Sequence, residues 1–325
     1  MGLIGSGERT IVTAGVARLD TLRAFDAATL FQMGSITKVY TASLILQAVE
    51  RRELALHARV VDVLPGFRLA EGSELVTVFH LLTHSSGLPE AHQIDTGTGD
   101  DCLERYVVAL PGVRLDFLPG ERSAYSNANY VLLGRIIELL YGATWDDALR
   151  SELLEPAGLR STITRSEQLA GLPTTLGYIP NADGVPSIPA WGGSRCYAPA
   201  GSTPCTTMDD LLSFASVHLS QGRSHNGEVI LSPRSVAEMQ VIRSDAIDYG
   251  APARLRPTGV GLGWLRFLHG ERDWIGHDGG SAGQMTFLRL NTNDGVAFAV
   301  YANAGTGFRV FEDLAEDIAV SLASG

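Results

Sequence analysis

Apolar positions along this chain change spacing three times. Near the N-terminus they come in short extended runs. Residues 2–6 and Ile11 to Ala17 read as two strands around a turn at Gly5-Ser-Gly-Glu-Arg9. From about Ser35 to Arg52 the spacing is helical, and Ile36, Val39, Leu44, Ile45, Ala48 and Val49 predict a mostly buried helix. Turns are expected at Leu64-Pro-Gly66 and Ser85-Ser-Gly-Leu-Pro89, and a surface loop over the polar stretch His92 to Asp101. Tyr130, Leu133, Ile136, Ile137 and Leu140 predict a helix from Asn129 to Leu140 that stops at Gly142. Residues 172–204 are rich in Pro, Gly and Ser and have no clear period. Thr207 is placed to cap a further helix, with Asp209 and Asp210 in its first turn.

From Gly261 onward the pattern is that of strands: Gly261 to Phe267, Asp273 to Gly276, Met285 to Leu290 and Val296 to Tyr301. Asn291-Thr-Asn-Asp-Gly295 is a hairpin turn, and Val310 to Leu322 a closing helix. Strands at both ends around a helical middle predict an α+β fold. Its antiparallel sheet is drawn from residues 1–34 and 222–325, and residues 35–221 form a mainly helical insertion. No internal repeat or interdomain linker is visible.

Composition narrows the function classes. With 45% hydrophobic and 19% charged residues, the chain of 325 is globular rather than disordered. A formal net charge of −11 disfavours nucleic acid and anionic membrane surfaces as partners. The three cysteines, Cys102, Cys196 and Cys205, have no CxxC spacing, so free buried thiols are expected rather than a disulfide scaffold or zinc site. His80 and His84 stand four apart, but no Glu follows His80, and no metal is expected there. No phosphate loop or dinucleotide motif appears, so no cofactor is implied. No basic segment precedes an apolar run at the N-terminus, and no run is long enough to span a bilayer, which sets the expectation of a cytoplasmic protein.

The chemistry centres on one residue. Of 25 basic Lys and Arg residues, all but Lys38 are arginine. Arginine holds its proton in essentially every protein environment, whereas a desolvated lysine can lose it and act as a base. Lys38 lies three residues after Ser35, so on a helix its amine can reach the serine hydroxyl. Three further segments join this pair: Tyr125-Ser-Asn127 just before a helix, a glycine loop from Ala198 into the capped helix, and Gly276-His-Asp-Gly-Gly280 between likely strands.

Together these motifs resemble the serine β-lactamase and penicillin-recognising family, in the branch of class C β-lactamases, D-aminopeptidases, DD-carboxypeptidases and family VIII carboxylesterases. Leu81-Leu-Thr-His-Ser-Ser-Gly-Leu88, Pro119-Gly120, Pro156-Ala-Gly-Leu159 and Gly261-Leu-Gly-Trp264 follow in the family's order and span nearly the whole chain. The resemblance implies a β-lactamase-like fold with the active site between sheet and helices. It implies Ser35 as nucleophile, Lys38 as the group taking or sharing its proton, and Tyr125 as relay to the leaving group and activator of water. It leaves open which of Lys38 and Tyr125 is the base in acylation. Asn127, His277, Asp278 and Gly279 would contact substrate, and the backbone N–H groups of Ser35 and Gly280 would form an oxyanion hole. His277 stands where a related motif has lysine. Asp278, if turned to the pocket, would repel a substrate carboxylate and favour a neutral ester or amide, or an amine-bearing substrate. Trp191, Tyr197 and Trp264 are expected in the core or pocket wall.

The expected function is therefore a serine hydrolase of small-molecule esters or amides, carboxylesterase-like, working through an acyl-Ser35 intermediate. One alternative is a transacylase or amidase of small-molecule biosynthesis that passes the acyl group to an amine. Another, of a different class, is a non-catalytic sensor or scaffold. The sequence leaves the oligomeric state open.

Overall fold

Strands at the two ends of the chain do close into one sheet. The computed structural model describes residues 1–5, 8–90, 94–180, 184, 186–189, 193–269 and 272–323. Seven strands form its main sheet: β1 (Gly2–Gly5), β2 (Glu8–Ile11), β3 (Gly259–Val260), β4 (Leu265–His269), β5 (Arg272–Ser281), β6 (Gln284–Asn291) and β7 (Val296–Ala302). They pair antiparallel in the order β2-β1-β7-β6-β5-β4-β3, with Gly2 opposite Ala299. The β6–β7 turn is held by Asn291, whose Oδ1 accepts from the N–H groups of Asn293 and Asp294.

Period-two alternation separates two cores. On one face Leu288, Leu290, Ala297 and Ala299 join a large core with the helices. These are α1 (Thr37–Glu50), α2 (Asn127–Tyr141) and α3 (Met208–Leu219). On the other face Phe287, Phe298 and Val300 pack with Trp274 and with Phe311 of α4 (Gly307–Ala323). Local signals end the helices as the sequence suggests. Gly142, at φ 62°, closes α2, and the Thr207 hydroxyl accepts from the Asp210 N–H to cap α3. Although the sequence places residues 208–219 in the helical insertion, α3 packs on β1 and β7 and so belongs to the sheet's cover.

One further expectation is corrected. Gly276 to Gly280 is not a break between strands but lies inside the ten-residue β5. Gly276 and Gly279 serve close approach instead of a turn: a Cβ on Gly276 would lie 2.1 Å from the Leu288 carbonyl oxygen. The three cysteines are free and buried. Ser6 and Gly7 of the expected first turn, His92 and Gln93 of the expected loop, and Trp191 lie outside the described residues. Among the described residues no helix is long and apolar enough to cross a membrane.

Burial leaves several histidines uncharged. Desolvation lowers His218 and His277 from 6.5 to about 3, and His84 well below its ordinary value. Among the described residues the two ring nitrogens of His218 have no hydrogen-bond partner, and its ring lies edge-on to Phe214 and Trp264. Because the folded chain binds these protons less readily than the unfolded one, the contribution of these histidines to stability is full above about pH 6.5 and is lost from there toward pH 3. His218→Leu is expected to remove up to one proton from that dependence, about 1.4 kcal/mol per pH unit, in denaturant unfolding measured between pH 6.5 and 4. An unchanged slope would contradict the assignment of a neutral buried His218.

Candidate active site

Three backbones converge on the turn that carries Ser35. The single 3₁₀ turn Gly34–Ile36 leads directly into α1. Gly34 has φ 54°, and a Cβ there would lie 2.7 Å from the backbone nitrogen of Gly280. A Cβ on Gly279 would lie 2.0 Å from the Met33 carbonyl oxygen, and one on Gly201 2.1 Å from that of Gly34. Only glycine lets β5 and the 201 loop press this closely on the turn. Gly279, expected at the substrate, thus seats the Ser35 turn through its own backbone. Ser35 and Gly280 line a common cleft of about 410 Å³.

One helical turn after Ser35, Lys38 is wholly buried. Its Nζ donates to Ser35 Oγ at 2.9 Å, Asn127 Oδ1 at 2.7 Å and the Ala200 carbonyl at 2.7 Å. It also lies 4.8 Å from the ring centre of Tyr125. Burial pulls the amine down from 10.5 to about 7, against the opposing pull of the Glu90 carboxylate. Tyr125 Oη donates to the same Ser35 Oγ at 2.6 Å. Burial raises the Tyr125 phenol, and the charges of Glu90 and Asp278 add to the rise, although its bond to Ser35 works the other way.

Tyr125 is placed by the segment around Leu81-Leu-Thr-His-Ser-Ser-Gly-Leu88. The ring of His84 stacks on Tyr125 with centroids 4.6 Å apart. Its Nδ1 accepts from the Ser126 N–H at 3.2 Å, and its carbonyl from the Ala124 N–H at 2.9 Å. Asn127 opens α2. Glu90 takes its backbone N–H and its Nδ2, both at 2.6 Å. A carboxylate there also suits the positive end of the helix dipole. The Asn127 oxygen and one of its two amide hydrogens are therefore engaged inside the protein, so the amide orients Lys38, and Asn127 also lines the cleft with Ser35.

The two side chains of the His-Asp pair on β5 leave on opposite faces. His277 pairs with Leu288 on the large-core side, is 2% exposed, and contacts the Asp278 carbonyl oxygen through Nδ1 at 2.7 Å. Burial, helped by the charge of Lys38, makes it a neutral imidazole. Asp278 points to the second core, where Arg289 Nη1 lies 2.5 Å and Tyr249 Oη 2.7 Å from its carboxylate. This corrects the expectation of Asp278 as a substrate-facing charge, since strand alternation turns it away from the cleft.

Sequence reasoning thus brings Ser35, Lys38, Tyr125, Asn127 and Gly280 to one place. It missed Glu90, Tyr249, Arg289 and the Ala200 carbonyl, and weighed His84 only for metal. One signal was available: Arg289 interrupts the apolar strand Thr286-Phe-Leu-Arg-Leu290, and a buried charge needs a partner. Glu90 carries no such mark. Among the described residues no group of His, Cys, Asp or Glu could hold a metal ion.

Comparison with known proteins bears on the family and the fold. The family model described as Beta-lactamase matches residues 2–323. Penicillin-binding protein 4 of Amycolatopsis lactamdurans is 36% identical over 98% of this chain and 83% of its own length. Esterase EstB of Burkholderia gladioli is 37% identical over 45% of this chain and 41% of its own length. The solved structure of the D-amino acid amidase of Ochrobactrum anthropi superimposes with a TM-score of 0.83 at 21% identity, covering 99% of this chain and 93% of that one. With the family model matching residues 2–323 and a relative 36% identical along almost the whole chain, this chain belongs to the beta-lactamase family of serine hydrolases.

Proposed function

We propose that this chain hydrolyses small-molecule esters or amides through an acyl-Ser35 intermediate, in the manner of a carboxylesterase. The observation that carries the reading is the set of three oxygens around Lys38 Nζ. A neutral amine keeps two N–H bonds and one lone pair. Asn127 Oδ1, which faces the amine, and the Ala200 carbonyl only accept, so they take the two hydrogens. The lone pair is left to Ser35 Oγ, the one partner with a proton to give. Lys38 is then the base of acylation and Tyr125, whose phenol stays protonated, the acid. Two titratable groups pushed apart by their surroundings divide the work this way.

In the first half-reaction Ser35 Oγ bonds to the substrate carbonyl carbon while its proton passes to Lys38. The backbone N–H groups of Ser35 and Gly280 receive the oxyanion, worth ~3 kcal/mol per donor. The carbon–oxygen or carbon–nitrogen bond to the leaving group then breaks. Tyr125 protonates the departing atom and regains a proton from the Lys38 ammonium. Water attacks the ester in the second half-reaction, giving its proton back to the Tyr125–Lys38 pair, and Ser35 leaves protonated.

Substrate charge follows from the cleft. No arginine is among the described residues lining it, and Asp95 stands on its wall. Neutral imidazole at His277 and the capture of Arg289 on β6 by Asp278 leave neither side chain as a free cation for a substrate carboxylate. Neutral substrates or those bearing an amine fit this cleft. The same acidic wall favours a second reading, in which an amine acceptor replaces water and the enzyme is a transacylase.

A fluorophosphonate is expected to add one adduct to the wild-type protein by intact mass, and none to Ser35→Ala. An adduct elsewhere, or none on wild type, would refute the nucleophile. Lys38→Arg keeps a charge but not a titratable amine, and kcat/KM for ester hydrolysis is expected to fall on the order of a thousandfold. Wild-type-like rates in that variant would refute the base. For the wild type, kcat/KM is expected to rise with pH up to about 7, where Lys38 loses its proton, and to level above it. A flat profile between pH 5 and 7 would contradict the assignment.

A further inference from the structure

Behind Tyr125, on the face of the sheet opposite α1, α2 and α3, lies a charged array that the acylation scheme above does not use. Arg289 is wholly buried on β6, its guanidinium 3.5 Å from the ring centre of Phe267 and its Nε 3.1 Å from His269 Nε2. Its Nη1 lies 2.5 Å from Asp278 Oδ1 on β5. The other carboxylate oxygen accepts from Tyr249 Oη at 2.7 Å. Tyr249 sits in an irregular stretch before the 3₁₀ turn Ala253–Leu255, and its ring leans on Tyr125, centroids 5.7 Å apart. Tyr125 and Tyr249 both pack on the second core.

A buried ion pair is a poor device for stability alone, because apolar side chains of similar volume often do as well. What this one provides is a fixed oxygen. Arg289 allows the Asp278 carboxylate one orientation, that carboxylate fixes the Tyr249 hydroxyl, and the Tyr249 ring backs Tyr125. With His84 stacked on it, Tyr125 is then confined from two directions while its hydroxyl reaches Ser35 Oγ at 2.6 Å. Proton donation to a leaving group demands such confinement, since the donor must stay within hydrogen-bond reach as the bond breaks.

We propose that Tyr249, tethered through Asp278 to Arg289, is a positioning residue that holds Tyr125 in place to protonate the leaving group. The proposal rests on the serine-hydrolase reading above. It concerns only the bond that breaks: as the carbon–oxygen bond to the leaving group opens, the electron pair goes to that oxygen and the Tyr125 proton follows it. A leaving group that is stable as an anion needs this proton little, and a simple alkoxide needs it fully.

The test compares two esters of one acyl group, the 4-nitrophenyl ester and the ethyl ester, by kcat/KM, which reports acylation for both. Tyr249→Phe keeps the ring and loses the tether. It is expected to lower kcat/KM on the order of tenfold more for the ethyl than for the nitrophenyl ester. Tyr249→Ala is expected to show the same bias, more strongly, with Tyr125→Phe as the limiting case. Circular dichroism establishes that each variant is folded. Equal losses on both esters, or no loss on either, would overturn the proposal. A wild-type protein idle on both esters would refute the hydrolase reading itself and the positioning role with it, a result independent of any change at Tyr249.

Discussion

Removal of a single amine from water is the constraint on which this site depends. Lys38 is wholly buried at the start of α1, where charge is costly and the pull of a nearby carboxylate only partly offsets the cost. Three oxygens make the ammonium tolerable, and the same three decide what happens when it deprotonates. Two of them present no proton to the amine, so on the proposed reading the third, Ser35 Oγ, becomes its donor once the amine is neutral. An arginine at this position would keep its charge and its five donors, and nothing in the cavity would match that fork. On the proposed reading, the lone lysine of an otherwise arginine-based chain stands where a removable proton is useful.

Everything else near Ser35 serves to keep those distances. Glycines 34, 201 and 279 let three backbones touch around the Ser35 turn, so the hydroxyl cannot drift from the amine. Glu90 orients the Asn127 amide and thereby chooses which of its ends meets Lys38. Burial, with smaller help from nearby carboxylates, raises Tyr125 while burial lowers Lys38, so neighbouring groups on one oxygen hold opposite proton preferences. The sheet separates functions by its faces. The face toward α1 and α2 carries the cleft, and the opposite face, covered by α4, carries the Arg289–Asp278 pair that reaches back through Tyr249.

Much of this was legible from sequence because it rests on local spacing. Ser35 and Lys38 lie one helical turn apart whatever surrounds them, and the caps at Thr207 and Gly142 follow from backbone chemistry. The strand pairing of Gly2–Gly5 was legible only as a need for partners, and β7 supplied them. What could not be read was direction. Asp278 sits next to His277 in every account of the sequence, yet strand alternation sends it to another core. Glycines in Gly276 to Gly280 looked like a break because their role, close approach of another backbone, depends on Met33 and Leu288, remote in sequence. Glu90 was invisible for the same reason: its partner, Asn127, is brought to it by the fold.

Because Lys38 is the only lysine, its proton can be followed without assignment. Untagged protein labelled with [ε-¹³C]lysine has one side-chain signal, whose shift across pH reports the charge of this amine alone. The account requires a titration centred near 7 instead of the ordinary 10.5. A signal that stays that of an ammonium up to pH 10 would contradict it, because Ser35 would then have no base beside it in Lys38.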